Sequence, residues 1–349
     1  MNFHGRRKGL LALAGALAVP LFLPGSALAA HDLRIYKVEK QVTIDSDGAV
    51  ETVSCTSPND YALDGMWRID HVDYDEDVLF KDLIVSTDVL QAANASADPS
   101  RYDFAFTKNA IGRVQLKVFI ACLENRTASD ASHTHGFNVS AQKVIGPTSL
   151  PAGDFDFGDY QDPAGPRQFA VDQDAATPGV QPCLPNEVVV SPRFTVTPTF
   201  PATEVPDEYG RPIASTLARP PATNGYANRN TWRWRFRIAQ PVDVAVSVRC
   251  LKIKVTAAVP AGPSKHKLII KRNKDITQSF APNSVSEKSL ICGAHYKAVV
   301  AGWELVAPNF TWFLGMDPRI KSRAYRVFNS DTNPQNVNLT ALCFNYRTT

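Results

Sequence analysis

The chain offers no uninterrupted run of about eighteen apolar residues, so nothing in it reads as a bilayer-spanning helix. No stretch holds a helical apolar period over three turns, which argues against helical layers. Net charge is small as well: it is +3 over 349 residues, whereas nucleic-acid binding normally needs a concentrated basic face. Gly-x-Ser-x-Gly, His-Glu-x-x-His and a phosphate-binding glycine loop are all absent, leaving no short motif for acyl transfer, zinc hydrolysis or nucleotide binding. Proline, by contrast, is plentiful. Its 25 copies favour short strands and many turns.

The N-terminus reads as a targeting segment rather than as fold. Arg6, Arg7 and Lys8 precede an apolar run from Leu10 to Leu23 that Pro20 interrupts, and Ala27-Leu28-Ala29 gives the small-x-small pattern of a cleavage site. Residues 1–30 are therefore expected to be a cleaved signal peptide. No cysteine stands at the cleavage point to carry a lipid. The product is expected to be secreted, without an integral membrane segment.

All six cysteines follow that segment, and an even count in an exported chain reads as a disulfide framework. Six cysteines allow fifteen pairings, but an internal repeat selects among them. Cys55-Thr-Ser-Pro-Asn-Asp-Tyr-Ala-Leu-Asp-Gly-Met-Trp67 aligns with Cys292-Gly-Ala-His-Tyr-Lys-Ala-Val-Val-Ala-Gly-Trp303. Each copy closes on an apolar strand into a second cysteine, Cys122 or Cys343, followed in both by x-x-x-Arg-Thr. A middle copy opens at Cys183 and closes at Cys250. Aromatic strands precede the closing ones: Tyr102, Phe104 and Phe106; Trp232, Trp234 and Phe236; then Tyr325. A lead-in starting with histidine stands ahead of each copy, at His31, His135 and His266. Pairing within each copy, Cys55 with Cys122, Cys183 with Cys250 and Cys292 with Cys343, lets every repeat fold as its own unit. In the chain-entropy picture each bridge stabilises by about 4 kcal/mol.

Period two dominates wherever a pattern exists. Trp232, Trp234 and Phe236 fall on one face of a strand, with Arg233, Arg235 and Arg237 on the other. The fold class expected is all-β: three tandem, divergent, disulfide-stapled β-sandwich domains over residues 31–130, 131–258 and 259–349. Trp67 and Trp303 are expected to pack near their bridges, as aromatics do in immunoglobulin-like domains. The Pro- and Gly-rich stretches 147–182 and 198–230 read as long surface loops of the middle copy.

Candidate site residues are sparse, and no catalytic residue is assigned. Arg233, Arg235 and Arg237 form a row that can contact an acidic surface polymer, or can simply be the wet side of a sheet. Two acidic clusters, one with Asp73, Asp75 and Asp77 and one with Asp154, Asp156 and Asp159, have the oxygen-rich chemistry of a Ca²⁺ site, although neither has EF-hand spacing. A solvated acidic turn has the same composition. His133 and His135 could face one side of a strand, but no third ligand is evident in the sequence. His31 could chelate copper only as a free N-terminus, and its recurrence as His135 and His266 fits structural register better.

The order of Cys, Ala, Gly-Trp and an apolar strand into a second Cys resembles repeats of secreted actinobacterial proteins. The openings Cys55-Thr-Ser-Pro and Cys292-Gly-Ala-His depart from the Cys-Pro-x-Gly of those repeats. The resemblance implies export and a β fold, and brings no catalytic residues with it. The expected function is a non-catalytic binding or structural role at the cell surface or in the extracellular matrix. The partners expected are a cell-surface polymer, another protein or further copies of the chain. The alternative is a secreted enzyme acting on polysaccharide through the loops of the middle copy.

Overall fold

Residues 32–44, 48–73, 83–88, 98–108, 113–127, 134–157, 168–169, 183–184, 186–199, 210–217, 232–254, 258–259, 268–317, 319 and 321–348 are described by a computed structural model. Twenty-one strands and no helix occur among them. The first copy contributes β1 (Ile35–Ile44), β2 (Gly48–Ser54), β3 (Tyr61–Asp73), β4 (Leu83–Asp88), β5 (Arg101–Lys108) and β6 (Arg113–Leu123). After the short β7 (Thr134–His135) come β8 (Lys143–Leu150), β9 (Gly153–Phe157), the short β10 (Gln168–Phe169), β11 (Glu187–Pro198), β12 (Gly210–Leu217), β13 (Trp232–Ile238) and β14 (Val242–Lys252). The short β15 (Ala258–Val259) leads to β16 (Leu268–Phe280), β17 (Ser284–Ile291), β18 (Tyr296–Leu305), β19 (Thr311–Asp317), β20 (Ser322–Asn329) and β21 (Gln335–Thr348).

Setting aside the three short strands, one pairing scheme recurs three times. The sixth strand of each copy lies between the first and the third: β6 between β1 and β3, β14 between β8 and β11, β21 between β16 and β18. The fifth strand lies between the second and the fourth: β5 between β2 and β4, β13 between β9 and β12, β20 between β17 and β19. Each copy is thus two antiparallel three-stranded sheets. Alternation drives this arrangement. In β13 the aromatic residues are buried and the arginines half-buried, residue by residue.

The three bridges pair as the repeat requires, with Cα–Cα separations of 5.8, 5.5 and 5.7 Å. Cys55 and Cys292 directly follow the second strand, while Cys122, Cys250 and Cys343 lie on the sixth. Each bridge therefore links the connection after one sheet to the middle strand of the other. In the second copy residues 158–182 are inserted into that connection.

Two stretches expected as loops contain strands. The first, 147–182, carries the end of β8 together with β9 and β10, and the second, 198–230, carries β12. Ile213, Ala214 and Leu217 of β12 are fully buried. Pro212 obscured it in the sequence. The structure accommodates that proline where the β12–β13 register shifts, between Pro212 and Ala214.

The copies are also joined by their edges, an arrangement that no residue pattern announces. β3 of the first copy pairs with β19 of the third at Arg68 and Gly315, making one six-stranded sheet. β18 of the third copy pairs with β12 of the second at Ala214–Glu304 and Ser215–Trp303, making a seven-stranded sheet with β10. β11 of the second copy packs along β4 of the first, without a ladder. The third strand of every copy thus meets the fourth strand of another, first to third, third to second, second to first. The cycle closes. The three third strands β3, β11 and β18 also contact one another at its centre.

Two glycines permit the laddered junctions. A Cβ on Gly315, whose φ is +109°, would lie 2.0 Å from the Trp67 carbonyl oxygen across the β3–β19 junction. A Cβ on Gly302 would lie 2.4 Å from the Ser215 carbonyl oxygen across the β18–β12 junction. The unladdered junction instead has Pro192, which supplies no N–H, in a bulged stretch of β11. Beside it, side chains tie β11 to β3 and β5 of the first copy: Ser191 Oγ donates to Ala62 O, Tyr102 Oη donates to Pro192 O at 3.3 Å, and the Arg193 guanidinium lies 4.0 Å from the Tyr102 ring centroid. Gly315→Ala is expected to destabilise the protein by about 2–4 kcal/mol, read as a lowered midpoint in urea unfolding. An unchanged midpoint would mean that the β3–β19 contact contributes nothing to stability.

Candidate functional site

The centre of the cycle is where side chains from all three copies converge. Trp67 lies opposite Val118, Phe194 opposite Val246 and Trp303 opposite Leu339. Each partner stands four residues before the closing cysteine of its copy, so these three aromatics occupy one equivalent position. All three line a central cavity of about 50 Å³, together with Phe313, Met66 and Met316. Phe313 stacks on Trp303 with ring centroids 4.1 Å apart and meets Trp67 edge-on at 5.8 Å. A bulge also recurs in each third strand near the closing cysteine: directly after Ala62 and Ala298, which pair with Cys122 and Cys343, and after Val190, one residue beyond Val189, which pairs with Cys250. Trp67 and Trp303 share apolar clusters with their copies' bridges, as expected, but they also face this cavity.

One buried charge pair crosses the centre. Asp64 on β3, 2% exposed, accepts a hydrogen bond from the Ala301 backbone N–H on β18 at 3.0 Å. It also lies 3.7 Å from the guanidinium of Arg323 on β20, itself 1% exposed. Arg323 donates further to Val299 O at 3.3 Å and to Arg319 O at 3.2 Å. Burial pushes the Asp64 carboxyl up to about 7, against the opposing pull of Arg323 and of the Ala301 and Gly65 backbone N–H groups. No motif marks this residue, which sits inconspicuously between Leu63 and Gly65.

Chemically, the centre is a structural clamp. A volume of about 50 Å³ accommodates one or two water molecules, far below the roughly 300–1,000 Å³ of small-molecule pockets.

The arginine row lies at the junction of the second and third copies. Arg233 Nη1 is 3.1 Å and Arg235 Nη1 3.5 Å from Glu304 Oε1 on β18. Arg237 holds Asp154 on β9 through two bonds of 2.9 Å. The row therefore fastens one copy to the next and is not a bare wet face. Asp154 is accordingly committed to Arg237. Asp73 and Asp156 lie on β3 and β9 but their side chains are outside the described residues, as are Asp75, Asp77 and Asp159 altogether. No Ca²⁺ ligand set is assembled from these positions among the described side chains. His31, His133 and His266 also fall outside, while His135 is fully buried on β7. Cys183, Glu187 and Cys250 lie close enough together to suggest a metal site, but both sulfurs are consumed by their bridge. Glu187 accepts from the Leu184 backbone N–H at 3.0 Å and closes the local turn.

No protein-family model and no curated protein matches the chain. No helix among the described residues is long and apolar enough to cross a membrane.

The raised Asp64 carboxyl sets a pH dependence. An unfolded aspartate titrates near 4, so folding takes up a proton between about pH 4 and 7, and stability falls as pH rises through that window. The expected loss is about 2–4 kcal/mol, since each tenfold change in proton affinity is worth roughly 1.4 kcal/mol. Urea unfolding across that range should show the decline, and Asp64→Asn should flatten it. A stability that rose with pH and ignored the substitution would refute the assignment.

Proposed function

We propose that this chain is an exported, non-catalytic β protein serving as a binding or structural module at the cell surface or in the extracellular matrix. The closed cycle of strand edges is the observation that carries this reading. It fixes three sandwiches rigidly against one another, and rigidity fixed before binding lowers the entropic cost of engaging an extended partner. The three bridges fit the oxidising compartment that such a role requires. The aromatic centre holds a clamp where a substrate pocket would need an order of magnitude more space.

Incubating the full chain with cell-wall and purified polysaccharide preparations tests the reading directly. Retention on at least one surface polymer, without release of new reducing ends, is the expected result. Release of reducing ends at a rate set by the protein concentration would overturn it in favour of a hydrolytic enzyme.

A further inference from the structure

β1 is the longest unbroken outward edge among the described strands. Its ten residues pair rung by rung with β6, from Ile35–Leu123 to Ile44–Val114, and no described strand lies on its other side. Two further outward edges are interrupted: the ladder of β16 shifts register twice, and that of β8 shifts around Pro147. Glu124 N–H donates to Arg34 O at 2.9 Å, one rung before Ile35–Leu123, so the even-numbered residues of β1 bond to β6. The backbone groups of Ile35, Lys37, Glu39, Gln41 and Thr43 therefore point away from the sheet. The last four also carry exposed side chains on one face. On that face Lys37 Nζ lies 2.6 Å from Glu39 Oε2, with the two side chains still 33% and 48% exposed.

Symmetry limits how such an edge can meet its own copy. A two-fold axis normal to the sheet runs the two strands antiparallel and keeps each face with its like, so odd-numbered residues meet odd-numbered ones. Centred on Val38, the axis sets Lys37 opposite Glu39 of the second copy and Glu39 opposite its Lys37. With the Lys37–Glu39 contact inside each strand, the four side chains form a square of alternating charges. The outward backbone groups of Ile35, Lys37, Glu39 and Gln41 all fall on hydrogen-bonding rungs in this register. Moving the axis one residue either way sets Glu39 against Glu39 or Lys37 against Lys37, which repels. The far edge of the same sheet, β17, is blunted against such pairing. An axis through its exposed middle sets Glu287 against Glu287 or Lys288 against Lys288.

We propose that β1 is a homodimer edge, through which two copies of this chain join their six-stranded sheets about a two-fold axis at Val38. The assignment rests on the reading of the chain as a binding or structural module and names a second copy as its partner. With β17 blunted, association stops at two. A dimer presents every outward surface twice, which raises avidity for an extended polymer.

Sedimentation velocity of the full chain over a range of concentrations provides the test. A reversible monomer–dimer equilibrium without larger species is expected. Lys37→Glu and Glu39→Lys each set like charges opposite on two rungs, and each alone should raise the dimer Kd by about tenfold. Mixing the two variants restores opposite charges on both rungs, so their heterodimer should form about as tightly as the unaltered dimer. Gln41→Pro removes an outward N–H without touching the β6 ladder, and should abolish the dimer. All three positions are exposed, and Lys37 otherwise reaches Asp317 only at 3.9 Å, so urea midpoints should stay unchanged. A monomer at every concentration, larger species that grow with concentration, or variants that mix no more tightly than they self-associate would overturn the proposal. A monomer that is still retained on cell-wall preparations would sink this interface alone. A monomer retained on none of them would sink the broader reading with it.

Discussion

Everything distinctive about this structure depends on strand edges finding one another across copies. A sandwich of two three-stranded sheets leaves four exposed edges, each with unpaired backbone groups that invite aggregation. Here the third and fourth strands of every copy turn those edges inward against a neighbour. Two of the three contacts are ladders, β3 with β19 and β18 with β12. The remaining one is packing of β11 along β4, beside which Ser191, Arg193 and Tyr102 tie β11 to β3 and β5, and Pro192 removes a donor. The outward edges are what remains for the environment.

The cores follow the same logic. The apolar cluster around Trp232 and Trp234 takes in Leu63 and Leu123 from the first copy and Val299, Val300 and Phe344 from the third. The cluster around Trp303 takes in Met66 and Phe119 from the first. Burial is thus shared between copies, and these cores draw on residues from a neighbour. Asp64 and Arg323 belong to the same shared interior. Their value is geometric, since a buried pair of charges contributes little net stability but strongly penalises any arrangement that separates them.

Period-two alternation and the cysteine spacing made much of this legible in advance. The three bridges, the all-β class and the buried faces of β13 and β14 could be read from residues alone, because covalent pairing and side-chain alternation leave marks at fixed positions. The cycle left no such mark. Edge pairing is made by backbone groups, and its only trace in the sequence is that Gly302 and Gly315 carry no side chain. Phe194 escaped because the repeat was recognised by Gly-Trp, and the second copy has Arg193-Phe194 at that place. The arginines of β13 escaped for a different reason: a solvated row and a row engaged across a junction alternate identically.

The order in which the copies meet has a consequence for biogenesis. The first copy docks its third strand on the last copy, so that Arg68 reaches Asp317 and Ile69 accepts from Arg326, residues 249 and 257 positions apart. A chain emerging N-terminus first could not finish its opening sandwich until nearly all of the polypeptide had been delivered. Such long-range closure is slow, and it leaves β3 and β4 without their partners until the later copies have been made. Closure of these edges is therefore among the last steps that this topology allows in folding.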